Sequence, residues 1–253
     1  MARYVLEVMY DGTCFHGSQI QGNTPTVQLS VNNTLSTLLR KPILSFGASR
    51  TDEGVHALSN FYHFDHDEEL RPDFLYKCNA IMPSSVCVKK VYRANDPEFN
   101  VRFAAVVRSY RYRIYAAKDP FLVNRALFYP FPICEDTLHQ TAAAIMEYDQ
   151  FESFAKRNAQ SKTMFCTIYQ SRWERVGEEL HYVVAANRFL RGMVRGLVGT
   201  QLHIARGSKE VAAFRSIVEA QNCTKAFFNV PGHGLYLEKI EYPENALKDL
   251  LSR

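Results

Sequence analysis

The order of strand-like and helix-like segments in this chain occurs twice, and that repetition limits the possible folds more than any other feature. Each half begins with a strand pattern, continues with an amphipathic helix pattern and returns through further strand patterns. The first half predicts strands at residues 3–10, Ile43–Ala48, Leu58–Phe64 and Ser85–Tyr92, and a helix with Val27, Val31, Leu35, Leu38 and Leu39 on one face after Thr26 as its cap. The second half predicts strands at Val106–Tyr115, Met164–Arg175, Leu180–Ala186 and Gly234–Tyr242, a helix with Leu138, Ala142, Ile145 and Met146 aligned, and helices starting at Arg188 and Lys209.

This order indicates an α/β (α+β) protein built from two halves of split βαβ type, with antiparallel sheets that carry helices on one face. The sequence places the boundary near residue 105, which divides the chain into residues 1–105 and 106–253. With 253 residues, 47% of them hydrophobic, the chain is long enough to bury a substantial core.

The composition indicates the cellular location of the protein more clearly than it indicates what the protein binds. The net charge of +4 is too small to indicate a polyanionic partner by itself. The six cysteines are scattered without a C-x-x-C pair, mostly in apolar runs, so we expect reduced, buried thiols. The first residues, MARYVLEVMYDG, alternate polar and apolar types instead of forming a signal peptide, and a cytoplasmic location is expected.

The segment GASRTDEGVHALSNFYHF, residues 47–64, places an arginine and two adjacent carboxylates between two strand patterns. Neighbouring side chains in extended backbone point to opposite sides, so Asp52 and Glu53 are not expected to share a site. Asp52 follows Arg50 by two positions, which predicts that both lie on the same side. The cluster is therefore either a surface ion pair or a site with one working carboxylate.

The run HFDHD, His63 to Asp67, offers a possible metal cluster, which would make the chain a metal-dependent hydrolase. Adjacent side chains must diverge there, and the run lacks an H-E-x-x-H pattern or a cysteine pair. A strand that ends in a solvated loop is therefore the preferred explanation of the run, and we expect no metal and no cofactor.

Basic residues are concentrated in two places. Between Lys89 and Lys118 the sequence has eight Lys and Arg against two carboxylates, with tyrosines interleaved, which is typical of RNA-binding strands. After Asn187, helical spacing would align Arg188, Arg191 and Arg195 as contacts to an RNA backbone. An aromatic core strand and a solvated helix face are the corresponding alternatives.

Together these motifs resemble the TruA family of tRNA pseudouridine synthases over nearly the whole chain. The resemblance rests on five elements that occur in the family's order: YDGTCFHGSQIQ with TVQ, SRTDEGVHA, FNVRFAAVVRSYRYRIY, NRFLRGMVRGLVG and GHGLYL. It implies an enzyme that isomerises uridine to pseudouridine in the anticodon stem-loop of tRNA, at positions 38 to 40, without a cofactor. It also implies a homodimer whose chains have two halves of RRM-like, ferredoxin-like topology.

The resemblance also implies roles for single residues. Asp52 stands where the family has its essential catalytic aspartate, and Tyr110 stands where a tyrosine packs on the target base. Arg195 takes the position of the arginine that pairs with the aspartate, and Arg50 that of the arginine implicated in holding the target nucleotide out of the stem. A non-catalytic RNA-binding protein of the same fold remains the alternative.

Three positions depart from the family pattern. Ser18 stands where the family usually has tryptophan, Ser49 where it has glycine, and Glu53 where it has alanine. Glu53 adds a negative charge beside an expected RNA site. The resemblance therefore implies the reaction more firmly than it implies which uridines are modified.

Overall fold

A computed structural model describes residues 1–157, 163–207 and 210–252. The chain divides into two compact units, residues 1–106 with 237–253, and residues 107–236. The division inferred from the sequence assigns the C-terminal residues to the second half, whereas in the structure residues 237–253 pack with the first unit. They do so because the last strand pairs with a strand of that unit.

The first unit contains an antiparallel sheet with two helices. Its elements are β1 (Ala2–Tyr10), α1 (Val27–Leu39), β2 (Phe46–Gly47), β3 (His56–His66), α2 (Phe74–Ile81), β4 (Val86–Ala94), most of β9 (Leu235–Glu241), and β10 (Leu247–Ser252). Hydrogen bonds order its strands as β10, β4, β1, β3 and β2. The first four strands in sequence thus stand in the order 4-1-3-2, which is the split βαβ arrangement predicted from the sequence.

The helix α1 forms where the sequence predicts it. Thr26 is its N-cap, since its hydroxyl accepts a hydrogen bond from the backbone N–H of Leu29 at 3.3 Å. Val27, Val31 and Leu35 are fully buried on one face, as the helical spacing requires. The helix therefore has a fixed start, and the loop before it is tied to the core of the unit.

The second unit repeats the βαββα order. Its elements are β5 (Val107–Tyr115), β6 (Leu127–Phe128), α3 (Glu135–Ile145), β7 (Ile168–Val176), β8 (Glu179–Ala186), α4 (Met193–Arg206) and α5 (Val211–Glu219). The strands β5, β8 and β7 pair antiparallel in that order, and β6 adds to β5 in parallel. The helix α3 packs on β7 and α4. The mixed α/β class with antiparallel sheets is confirmed in both units.

Several element predictions need correction. The helix expected from Arg188 begins at Met193, because Gly192 adopts a left-handed conformation with φ of 76° immediately before it. The strand expected at Ile43–Ala48 is reduced to the two residues of β2. The sequence interpretation missed α2 and β10. The start expected at Lys209 lies outside the described residues, and α5 begins at Val211.

All six cysteines are free thiols. Cys78 and Cys166 are buried, but Cys14 and Cys134 are exposed, so the expectation of burial is wrong for those two. Within the described ranges, no helix combines the length and apolar character that crossing a membrane requires.

Candidate active site

Asp52 lies in the connection between β2 and β3. Its side chain is partly buried, whereas that of its neighbour Glu53 is 73% exposed. The backbone turns directly after them, with a hydrogen bond from the N–H of Val55 to the Asp52 carbonyl at 3.2 Å and Gly54 at φ 76°. The two carboxylates therefore occupy different environments, because Glu53 lies within the turn.

Residues 11–18 form a second loop that packs against this connection through two glycines. A Cβ on Gly12 would lie 2.1 Å from the Val55 carbonyl oxygen, and one on Gly17 would lie 2.9 Å from that of Thr51. The Gly12 N–H also donates to His56 Nδ1 at 3.1 Å. Only residues without a side chain allow the two backbones to approach this closely.

A buried hydrogen-bond network holds the connection between β2 and β3 that carries Asp52. The hydroxyls of Tyr10 and Thr51 share a hydrogen bond of 2.9 Å. Asn60 donates to the Tyr10 hydroxyl at 3.2 Å and to the Ser49 carbonyl at 3.1 Å, while its side-chain oxygen accepts from the Ser49 N–H at 3.2 Å. Because every one of these groups is buried, breaking a bond leaves a polar atom without water to replace its partner.

Ser18 ties the two loops together. Its hydroxyl accepts from the Thr51 N–H at 2.8 Å and donates to the Ser49 carbonyl at 3.3 Å. Its own N–H donates to the Thr51 carbonyl at 3.1 Å. The residue before Asp52 is therefore held by both its N–H and its carbonyl, which restricts the backbone that carries the carboxylate.

The expected ion pair between Arg50 and Asp52 does not form. Arg50 is exposed, and its guanidinium is within ion-pair distance of no carboxylate in the described residues. The surface ion pair considered from the sequence is therefore wrong, and the Arg50 side chain is available to an external anion.

In the second unit, Tyr110 lies in β5 with its ring buried to 8% exposure. The ring meets Phe189 edge to face, with 5.2 Å between the centroids. Arg108, Tyr110, Tyr112 and Ile114 share the buried face of β5, as strand alternation predicts.

Arg195 lies in the first turn of α4 and is partly buried. Its Nε donates to the Val230 carbonyl at 2.9 Å, and the Tyr112 hydroxyl donates to the neighbouring Pro231 carbonyl at 2.8 Å. Burial raises the pKa of Tyr112 well above its usual value, so this hydroxyl stays a donor. Both side chains fix the segment before the Gly232–Gly234 turn.

Comparison with known proteins decides the family. A family model described as tRNA pseudouridine synthase matches residues 148–243. The tRNA pseudouridine synthase A of Parabacteroides distasonis is 38% identical over 96% of this chain and 97% of its own length. The enzymes of that name from Bacteroides thetaiotaomicron and Staphylococcus aureus are 38% and 32% identical over 98% and 97% of this chain, and they are covered over 94% of their own lengths in both cases.

The chain belongs to the tRNA pseudouridine synthase A family. It is an isomerase that acts on uridines of tRNA.

The family pattern helps to interpret two of the departures. Ser18, in place of tryptophan, provides the hydroxyl that holds Thr51, and its side chain is almost fully buried. Glu53 is 3.9 Å from His16 Nε2, and both side chains are at least half exposed. The charge of Glu53 is therefore open to solvent and to any RNA that approaches the loop.

The arginines of β5 in this synthase are less available to RNA than the composition of the strand suggests. Arg111 bonds to Glu174 at 3.1 Å, and Arg113 makes two bonds to Glu179 at 2.8 and 2.7 Å. The Arg113 guanidinium lowers the pKa of Glu179, so the pair stays ionised at neutral pH. The interpretation of these two arginines as RNA contacts is weakened, because glutamates of the second unit already pair with them.

Arg188 and Arg191 precede α4 instead of lying on it, so the predicted helical alignment with Arg195 is wrong. Arg188 is partly buried and donates to the Thr163 hydroxyl at 3.1 Å. Arg191 is exposed in the turn before Gly192, and its carbonyl accepts from the Lys156 N–H at 2.9 Å. Of the two, Arg191 has the side chain better placed to reach a phosphate.

The sequence interpretation missed Tyr10, Ser18 and Asn60 as supports of the Asp52 loop. The only signal was local: Asn60 is a poor strand former within the predicted strand Leu58–Phe64, and Ser18 departs from the family pattern. Their partners are 11 to 50 residues away in the chain, beyond the reach of helical or strand spacing, so no local pattern joins them.

Proposed function

We propose that the target uridines lie in the anticodon stem-loop of tRNA, among positions 38 to 40, and that Asp52 is the catalytic residue. The observation that supports Asp52 is the way its loop is held. Thr51 is bonded through its N–H, its carbonyl and its hydroxyl. A backbone restrained in this way presents the next side chain in one position, which is what a single catalytic carboxylate requires.

The reaction breaks the bond between uracil N1 and ribose C1′, turns the base and joins C5 to C1′. The hydrogen on C5 leaves as a proton, and N1 gains one, so no oxidant, reductant or cofactor is needed. Ionised Asp52 either attacks the ribose or the base as a nucleophile, or removes a sugar proton so that a glycal forms.

Asp52 must stay charged when RNA covers it, and desolvation opposes that charge. We infer that Arg195 supplies the opposing charge and that Tyr110 packs on the extruded uracil. Extruding a base from a stem costs a few kcal/mol, and stacking on an aromatic ring returns about 1 to 3 kcal/mol. Arg50 would then occupy the space that the uridine leaves, for which its exposed side chain is suited.

Arg188 and Arg191 are proposed as contacts to the RNA backbone, Arg191 with the stronger support because its side chain is exposed. Phosphate contacts of this kind position the RNA, while tRNA shape supplies selectivity. We further propose that the chain acts in the cytoplasm as a homodimer.

The decisive experiment compares Asp52→Asn with the wild-type chain on tRNA labelled with tritium at C5 of uridine. We expect no tritium release from the variant, with tRNA affinity within a few-fold of wild type, because the carboxylate acts in the chemistry and not in docking. Asp67→Asn is the control, since Asp67 is an exposed carboxylate of the same unit that pairs with Lys41. Tritium release by Asp52→Asn would end the catalytic assignment.

The same assay separates the alternative of a non-catalytic RNA-binding protein, which would bind tRNA without releasing tritium even as wild type. The target positions are tested by mapping pseudouridines in tRNA from cells that lack this chain. Uridines that remain unmodified outside the anticodon stem-loop would contradict the proposed specificity.

A further inference from the structure

A cavity of about 160 Å³ lies in the first unit beside the Asp52 loop. Its lining includes Phe46 of β2, Arg50, Tyr62 of β3 and the turn from Asn100 to Phe103. Its volume equals that of about five water molecules, which suits part of one nucleotide. Asp52 does not line it, so a base held there is not the base that reacts.

Tyr62 closes one side of the cavity and is 1% exposed. Its hydroxyl is fully buried, so it is not open to a ligand in the cavity. Tyr62 therefore contributes to the shape of the cavity and offers no hydrogen-bond donor to a ligand.

Two aromatic side chains at the cavity remain open to solvent. Phe46 is 56% exposed and Phe103 is 78% exposed. Phe46 is held from behind by stacking on His63, with 5.3 Å between the centroids. Phe103 lies in a turn fixed by the Asn100 carbonyl, which accepts from its N–H at 3.1 Å. Exposed, positioned rings of this kind are the platforms on which unpaired bases stack.

The charge around the cavity favours an anion. Arg50 and Arg102 both line it and are exposed, and no carboxylate is among its lining residues in the described chain. The Arg102 guanidinium carbon is 5.5 Å from the centroid of the Phe103 ring, so charge and aromatic face lie together. A nucleotide offers a phosphate and a flat base in the same unit.

We propose that this cavity binds one unpaired nucleotide that neighbours the target uridine in the RNA. Its base stacks on Phe46 and Phe103, and its phosphate lies at Arg50 and Arg102. Arg50 precedes Asp52 by two residues, which span at most about 7 Å of chain, so the nucleotide must be close to the reacting one. The inference rests on the proposed tRNA substrate and names a second subsite for it.

Steady-state kinetics with tRNA tests the subsite. Phe103→Ala should raise KM about tenfold, with kcat within twofold of wild type, because the ring acts in binding. The matched control is Tyr76→Ala, an aromatic residue that is 78% exposed on α2, and it should leave KM unchanged. An unchanged KM in Phe103→Ala, with wild-type thermal unfolding, would overturn the proposal.

A binding measurement that needs no turnover separates this inference from the proposed function. In Asp52→Asn, 2-aminopurine placed in turn at each position within two of the target should be quenched at one position. Phe46→Ala and Phe103→Ala should relieve that quenching, and Tyr76→Ala should not. Quenching at no position would sink the subsite, whereas quenching together with an inactive wild-type chain would sink the proposed reaction and leave the subsite standing.

Discussion

The hydroxyl of Ser18 accepts a hydrogen bond of 2.8 Å from the backbone N–H of Thr51, the residue that precedes the proposed catalytic Asp52. The same hydroxyl donates to the carbonyl of Ser49 at 3.3 Å. A side chain from the loop before α1 thus fixes the backbone on the approach to the carboxylate.

Ser18→Ala should lower kcat about tenfold while tRNA affinity stays within twofold. The change leaves the buried Thr51 N–H without an acceptor, which costs about 1 to 3 kcal/mol and loosens the Asp52 loop. Single-turnover rates and tRNA binding are measured together, with Ser216→Ala as control because its hydroxyl bonds within the exposed face of α5. An unchanged kcat would show that the loop is held without Ser18.

Gly12→Ala should destabilise the protein by about 1 to 3 kcal/mol, since the added Cβ would lie 2.1 Å from the Val55 carbonyl oxygen and must push the two loops apart. The free energy of unfolding is measured by urea titration, and activity should fall with it. Gly22→Ala is the control, because nothing lies within 4 Å of its added Cβ and it carries only the strain of a φ of 54°. Equal costs in both variants would contradict the close approach at Gly12.

Arg191→Ala should weaken binding to any tRNA. It should also reduce the magnitude of the slope of log K against log salt concentration by about 1. Arg172→Ala is a matched control, since it removes the same charge from an exposed arginine that two bonds tie to Glu174. Binding is measured between 50 and 200 mM salt, about the range over which released counterions change affinity most clearly. A salt slope that is the same in Arg191→Ala and wild type would show that this side chain meets no phosphate.

Features that depend on residues close together in the chain were predicted from the sequence, and features that depend on other constraints were not. The helix α1 was predictable because its cap and its apolar face lie within 13 residues. The start of α4 was not predictable from the sequence. Phe189 and Leu190 extend the helical spacing of apolar residues towards the N-terminus, but the left-handed conformation of Gly192 makes the helix begin at Met193.

The same limit applies to the candidate site. Arg111 and Arg113 look like free cations in the sequence, yet their partners Glu174 and Glu179 come from the strands β7 and β8, more than 60 residues away. The Asp52 motif itself was recognisable, because its letters are contiguous. Its support by Ser18 was not, since 33 residues separate that side chain from Thr51.

Acid should destabilise this protein through His63, whose side chain is 3% exposed. Burial lowers the pKa of His63 to about 4, with the nearby Arg3 charge acting in the same direction. In the unfolded chain the imidazole has its ordinary pKa of about 6.5. Below that pH only the unfolded state takes up the proton, so stability falls between about pH 6.5 and pH 4 and this group causes no further loss below.

His63→Phe should therefore remove about 1.4 kcal/mol of the stability that the wild type loses between pH 7.5 and pH 5.5. The phenyl ring keeps the stacking on Phe46, and the loss of Nδ1 removes a buried polar atom that has no partner among the described residues. Urea unfolding at both pH values measures the difference. His139→Gln is the control, because that exposed imidazole should leave the acid sensitivity as it is in wild type. Parallel pH dependence in His63→Phe and wild type would show that His63 takes up its proton in the folded state as readily as in the unfolded chain.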